Sequence, residues 1–235
     1  MNIKRHIPNS ITCCNLISGC IATWFASTGQ FRLALLWIII GAVFDFFDGM
    51  TARLLHVSSP IGKELDSLAD DITFGVAPSM MLFHELSIID YPYALEATRT
   101  WLPFVAFVLA AFSALRLAKF NLDERQTTSF IGLPTPANAL FWGALLIGAQ
   151  SLIENFSYSL PCLLLLEAIS CWLLVSEIPM FALKFKQWGW KGNEIRYGFI
   201  ILAALLIAAF QITGIAITIA AYIVISVIKG ERGKT

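Results

Sequence analysis

A series of apolar runs of membrane-crossing length constrains this chain more than any other feature. A helix needs roughly 20 mostly apolar residues to cross a bilayer. Eight stretches approach that length: about 11–28, 33–55, 62–84, 101–120, 137–154, 159–183, 197–209 and 212–228. Between them fall Gly29, Ser58-Ser59-Pro60, Pro92, Gly132-Leu133-Pro134, Pro161 and Gly189, all of which break helices. Pro134 and Pro136 predict a stiff, non-helical start to the fifth run. Only Gln211 to Gly214 separates the last two runs, which predicts a tight hairpin. Charged residues make up 14% of the chain, against about a quarter in a soluble domain. So few charges leave lipid as part of the solvent. The expected fold is an all-α, polytopic membrane helix bundle of about eight transmembrane helices.

Lys and Arg set the orientation. Eight crossings put both termini on one side, together with Lys4, Arg5, Arg53, Lys63, Arg116, Lys119, Arg125, Lys184, Lys186, Lys191, Arg196, Lys229, Arg232 and Lys234, which is 14 of the 16 cations. Only Arg32 and Arg99 fall on the other. The positive-inside rule makes the first side, and both termini, cytoplasmic. The first run lacks a cleavage site of the signal-peptide type and reads as a span. Residues 1–10 pair Lys4, Arg5 and His6 with Ile3 and Ile7, and suit the membrane surface. A formal net charge of zero argues against a nucleic-acid partner. The five cysteines lie in apolar stretches and are expected to be small buried hydrophobes rather than a disulfide or metal set. No linker or low-complexity segment divides residues 1–235, which read as a single membrane domain.

Carboxylates inside apolar spans are costly and usually functional. Asp45 and Asp48, at i and i+3, share a face of the second span. Asp66 and Asp70, at i and i+4, share a face of the third. At ~1.5 Å per residue both pairs sit roughly 10–15 Å from the same surface, and a short connection makes the two helices antiparallel neighbours. Four carboxylates can then converge and need compensating cations. Oxygen-only ligands suit hard divalent ions such as Mg2+ or Mn2+, and two such ions form the arrangement used for in-line displacement at phosphorus. Gly49 and Ala52 remove bulk beside the aspartates, and Arg53 suits phosphate oxygens. Close helix packing alone would account for Gly49 and Ala52, but not for four aspartates. Asp71 points away from the Asp66/Asp70 face.

Written out, the stretch is Asp45-x2-Asp48-Gly49-x2-Ala52-Arg53-x8-Gly62-x3-Asp66-x3-Asp70, eight fixed residues over 26 positions. It resembles the signature of the CDP-alcohol phosphotransferase family at every fixed position. The resemblance covers a catalytic core of about 8–184, with a two-helix extension at about 196–228. It implies that Asp45, Asp48, Asp66 and Asp70 hold two metal ions and that Asp70 is also the base for the attacking hydroxyl. It further implies that Gly49, Ala52 and Arg53 contact the CDP part and that Ser59 lies by the diphosphate. Pro8-Asn9-x2-Thr12-x2-Asn15 resembles the family's nucleotide-contacting approach to the first span. Read from the residues alone, the same stretch fits a helix start with Asn9 or Ser10 as N-cap. A homodimer in the cell (inner) membrane, with the site toward the cytoplasm, is implied as well.

The signature does not name the acceptor. The stretches Ala114-Leu-Arg-Leu-Ala-Lys-Phe-Asn121 and Gly132-Leu-Pro-Thr-Pro-Ala-Asn-Ala139 resemble the serine-accepting, integral-membrane bacterial branch of the family. Val175-Ser-Glu-Ile-Pro179 followed by Lys184 resembles it more loosely. This implies transfer of a phosphatidyl group from CDP-diacylglycerol to L-serine. Arg116 and Lys119 could meet the serine carboxylate, and Asn121 or Asn138 its polar groups. Arg116 and Lys119 also fit plain charge anchors of the span, and Glu177 fits an ion-paired or snorkelling carboxylate better than a substrate contact. A sibling transferase accepting glycerol 3-phosphate, inositol phosphate or choline is the alternative. A cation or proton transporter would explain the aspartates, but not Gly49, Ala52 and Arg53 among them.

Overall fold

The chain must reverse within a few residues after the first apolar run. Gly29 makes the turn at φ +74°, a conformation that strains any residue with a side chain. The helices it joins, α1 (His6–Ser27) and α2 (Phe31–Leu54), lie antiparallel and pack along each other. The computed structural model describes residues 6–57, 59–123, 130–180, 189–190 and 193–232. Lys4, Arg5, Arg125, Lys184, Lys186, Lys191 and Lys234, all counted for orientation, lie outside these residues, as do Ser58, the end of the 159–183 run and most of the surface-lying N-terminal stretch.

After α2 a short turn leads into α3 (Pro60–Asp70), whose N-cap Ser59 accepts a hydrogen bond from the Gly62 amide at 3.0 Å. The helix continues without a break through a π-helical segment (Asp71–Val76) into α4 (Ala77–Ile88). A 3-10 turn at Leu102–Ala106 opens α5 (Phe107–Leu122). α6 runs from Thr135 to Gly148, followed by α7 (Gln150–Asn155) and α8 (Ser159–Val175). Pro136 lies inside the first turn of α6 rather than in a non-helical lead-in, because a missing N–H costs nothing there. Two-residue strands β1 (Phe130–Ile131) and β2 (Pro179–Met180) pair antiparallel and are the one non-helical ladder among the described residues.

The last element, α9 (Glu194–Arg232), bends sharply at Gln211, which takes φ 52° and ψ −125°. Phe199 meets Tyr222 across the bend with ring centroids 5.8 Å apart, so the two arms fold back as the expected hairpin. The outer arms pack mainly on α6.

Among the described residues the secondary structure is thus helical apart from the short strand pair. Four helical stretches among them are long and apolar enough to cross a membrane: His6–Ser27, Phe31–Leu54, Leu102–Leu122 and Glu194–Ile228. Their faces carry many large apolar side chains outward, among them Ile17, Trp24, Phe46 and Leu205. The interior gathers Ile38, Phe74, Met81, Leu82, Leu109, Trp142, Leu146 and Leu160. All five cysteines are free, but only Cys171 is buried; Cys13, Cys20 and Cys162 lie on outward faces, which corrects the expectation that all pack inside.

Candidate active site

α2 and α3 both pack on α1, and across the turn between them three of the four aspartates come together. One oxygen from each of Asp45, Asp48 and Asp66 lies within 4.8 Å of the others. Asp48 is buried, and Asp66 has a buried carboxylate oxygen, Oδ1, with no hydrogen-bond partner. Asp70 stands one turn further along the helix, outside this trio but within electrostatic reach of all three. Asp71 turns away toward Ser113 of α5, as the helix spacing requires.

α1 supports these carboxylates from the side. Thr12 Oγ1 donates to Asp48 Oδ2 at 2.6 Å, and Asn15 Nδ2 donates to Asp70 Oδ1 at 3.0 Å. The Asn15 side-chain oxygen Oδ1 in turn accepts from Thr73 Oγ1 at 2.8 Å, so Thr73 and Asp70 hold the two ends of the amide between them. Thr73 sits in the π-helical segment, wedged between Gly19 of α1 and Gly41 of α2. A Cβ at Gly19 would meet the Thr73 Cα at 2.8 Å, and one at Gly41 would meet Asn15 Oδ1 at 2.9 Å. Small residues here serve the site by letting three helices close on one threonine. Widened helical turns of this kind are frequent at functional sites.

The N-terminal motif is not a helix start, and it lies at the site. α1 already begins at His6, so neither Asn9 nor Ser10 is an N-cap; Ser10 Oγ donates back to the His6 carbonyl at 2.9 Å. Thr12 and Asn15 point at carboxylates. Asn9 remains at the cavity, its Oδ1 beside Gly62. Thr73 was not anticipated; its signal was a polar residue one turn beyond Asp70 in an otherwise apolar stretch.

A cavity of about 260 Å³ opens beside two of the trio, Asp48 and Asp66. Asn9 and Thr12 of α1, Gly49 and Ala52 of α2, and Ser59, Gly62 and Lys63 line it with them. Gly49, Ala52, Asn9, Thr12 and Ser59 thus share one space with the aspartates. Arg53 does not line it, and its guanidinium folds beside Gly49 on the exposed side of α2. Lys63, which sequence reasoning assigned only to orientation, does line it, and its Nζ donates to the Asn121 carbonyl at 2.7 Å.

The expected acceptor residues separate. Arg116 is only 7% exposed, within electrostatic reach of Asp70, and its buried Nε has no hydrogen-bond partner. Its guanidinium lies 5.0 Å from the Phe120 ring centroid. A surface charge anchor would not be buried this way. Lys119 is exposed and donates to the Val175 carbonyl at 3.2 Å, while Asn121 Nδ2 donates to Ser67 Oγ at 2.7 Å. Glu177 shares a small cavity with Arg116 and Lys119. Asn138 is buried, with both side-chain polar atoms lacking partners.

The residues present fit divalent ions. The donor set is oxygen only, it clusters within 4.8 Å, and one of its buried oxygens, on Asp66, has no protein partner. Three carboxylates held this close without a cation would repel strongly.

A family model described as CDP-alcohol phosphatidyltransferase matches residues 5–181. The chain is similar to proteins named CDP-diacylglycerol–serine O-phosphatidyltransferase. The one from Bacillus subtilis is 38% identical over 179 residues, spanning 74% of this chain and 89% of that protein. The one from Mycobacterium leprae is 31% identical, spanning 94% of this chain and 70% of that protein. The one from Helicobacter pylori strain 26695 is 35% identical, but there the match spans only 57% of this chain and 54% of that protein. The matched span contains the whole Asp45 to Asp70 cluster and the α1 residues that brace it. This chain belongs to the CDP-alcohol phosphatidyltransferase family.

Proposed function

We propose that the protein transfers a phosphatidyl group from CDP-diacylglycerol to the hydroxyl of L-serine, giving phosphatidylserine and CMP. The observation that carries this is the cluster of Asp45, Asp48 and Asp66, with Asp70 beside them, at a cavity that Asp48 and Asp66 line together with Ser59 and Lys63. The names of the similar proteins and the buried Arg116 near Asp70 support serine as the acceptor.

Asp45, Asp48, Asp66 and Asp70 would hold two divalent ions, Mg2+ or Mn2+, which when bound neutralise the diphosphate and polarise its phosphorus. The chain's own residues do the rest. Gly49 and Ala52 leave room for the cytidine diphosphate to lie against α2, with Asn9 and Thr12 facing it from α1. Lys63 and Ser59 meet phosphate oxygens at the rim, and Arg53 follows from the outer side of α2. Thr12 keeps Asp48 turned toward the cavity. Asn15 occupies one oxygen of Asp70 and leaves the other to take the proton of the serine hydroxyl. That hydroxyl oxygen bonds to the lipid-side phosphorus as the bond to the CMP oxygen breaks. Arg116 receives the serine carboxylate, and Lys119 and Asn121 close the rim. Most of the rate enhancement is positioning and charge stabilisation.

In this reading the helices make eight crossings. α3 and α4 form one crossing, α6 and α7 another, α8 a third, and the two arms of α9 two more. Each α9 arm has about 17 residues, roughly 25 Å of helix. The aspartate end and both termini face the cytoplasm of a cell-membrane protein, supported by the bias of Lys and Arg to that side. A homodimer belongs to the reading on the family resemblance alone.

The test is CMP release by purified protein with CDP-diacylglycerol and Mn2+ or Mg2+, with serine compared against glycerol 3-phosphate, inositol phosphate and choline. Release that requires both metal and serine is expected. Release with another acceptor overturns the serine assignment and keeps the chemistry; release without added metal, undiminished by chelator, overturns the metal roles.

A further inference from the structure

At the end of the bundle opposite the aspartates lies a second, larger cavity of about 380 Å³. The turn between α1 and α2, the end of α4 and the junction of α6 with α7 enclose it. Its volume is in the range of about 300–1,000 Å³ typical of ligand sites. Nothing in the phosphatidyl-transfer reading uses it.

The walls carry opposite charges that do not meet. Glu85 lines the cavity and is 2% exposed. Among the described residues it forms no ion pair, and another carboxylate, Glu154, lies within electrostatic reach. Arg32 lines the same cavity from the exposed first turn of α2 and also forms no ion pair among the described residues. The turn beside them is tightly built: His84, adjacent to Glu85, fills the space under Gly29, with its Nδ1 3.2 Å from the Ser27 carbonyl and its ring against Phe31 at 5.6 Å. A Cβ at Gly29 would fall 2.7 Å from the His84 ring, so this turn and this histidine are built for each other.

A buried carboxyl without a partner keeps its charge only where a cation joins it. A free arginine at a helix N-terminus, where the first amides lack intrahelical acceptors, favours an anion. One ligand that satisfies both ends is a zwitterion with an ammonium and a phosphate. The cavity also opens past Leu33 and Ile88, which are 39% and 56% exposed, so an apolar tail could leave along the bundle surface. We propose that this cavity binds the head group of a zwitterionic aminophospholipid, with its ammonium on Glu85 and its phosphate on Arg32 and the first turn of α2. The same head-group chemistry without a tail would be a soluble phosphoamine.

The test is native mass spectrometry of the purified full chain with three probes: short-chain phosphatidylethanolamine, phosphatidylglycerol of the same chain length, and soluble phosphoethanolamine. Phosphatidylethanolamine is expected to be retained about tenfold over phosphatidylglycerol, and Glu85→Gln and Arg32→Ala each to lower that retention about tenfold. CMP release and melting temperature should be unchanged in Arg32→Ala, whose exposed position keeps the test independent of how the core tolerates Glu85→Gln. Displacement of the lipid by phosphoethanolamine identifies the head group alone as sufficient; failure to displace it identifies the tailed lipid as the ligand. Equal retention of the two lipids, or retention unchanged in Arg32→Ala, overturns the proposal.

Discussion

The two ends of this bundle treat buried charge in opposite ways. At one end three aspartates crowd within 4.8 Å with a fourth beside them, and α1 braces two of the four through Thr12 and Asn15. At the other, one glutamate and one arginine line a single cavity without touching. Crowded carboxylates with shared hydrogen-bond support call for small, multiply charged cations. A lone carboxylate facing a separate arginine calls for a ligand that carries both charges itself. The packing differs accordingly: glycines at 19 and 41 let helices close tightly around Thr73, whereas at the far cavity Gly29 admits the His84 ring against the turn.

Removing divalent metal with a chelator should break this comparison most sharply. CMP release should fall to background and return on adding Mn2+ or Mg2+, while lipid retention at the far cavity stays constant. Asp70→Asn should lower turnover about a thousandfold, the scale of a lost general base, while equilibrium binding of CDP-diacylglycerol persists; unchanged turnover would sink the base assignment. Arg116→Ala should raise the serine KM about 10- to 100-fold, the loss of a charged hydrogen bond. Steady-state kinetics should show a much smaller change in the CDP-lipid KM, and equal changes would refute a role at the serine carboxylate. Thr73→Val frees the Asn15 amide to turn and should cost about fivefold in turnover, one neutral hydrogen bond. Thr73→Ser should restore it, which a purely packing role would not predict. Least of all, Arg32→Ala should leave the melting temperature almost unmoved, as exposed substitutions do within about 0.5 kcal/mol.

Much of the architecture was legible before any coordinates. Helical hydropathy is local, so most of the apolar runs map onto helices to within a few residues, and even the reversal near Gln211 follows from two short runs with almost nothing between them. The 159–183 run is the exception: its helix stops at Val175, ahead of Pro179, and Pro179–Met180 pair as a strand. The carboxylate cluster was legible for the same reason. Its members sit at i,i+3 and i,i+4 on two helices joined by a short turn, and that connection permits little other than an antiparallel meeting.

Other features depend on pairs far apart in sequence. Thr12 reaches Asp48, Asn15 reaches Asp70, and Thr73 reaches back to Asn15. No periodicity within one helix states which face of α1 will meet which face of α2. Lys119 and Arg116, three residues apart on α5, looked equivalent as charges. One lies exposed against a carbonyl of α8 and the other is buried near Asp70, because burial is a property of the neighbouring helices and not of the residue.

By itself, then, the sequence determined a membrane-suited helical bundle and the aspartates near one end of it, three that meet and a fourth one turn on, since both rest on spacing along single helices and one short turn. Only the tertiary structure decided that α1 orients those aspartates, that Arg116 is interior, and that Glu85 and Arg32 share a cavity at the far end. Each of these arises where helices distant in sequence come to lie side by side, and side-chain partners across such contacts are chosen by packing.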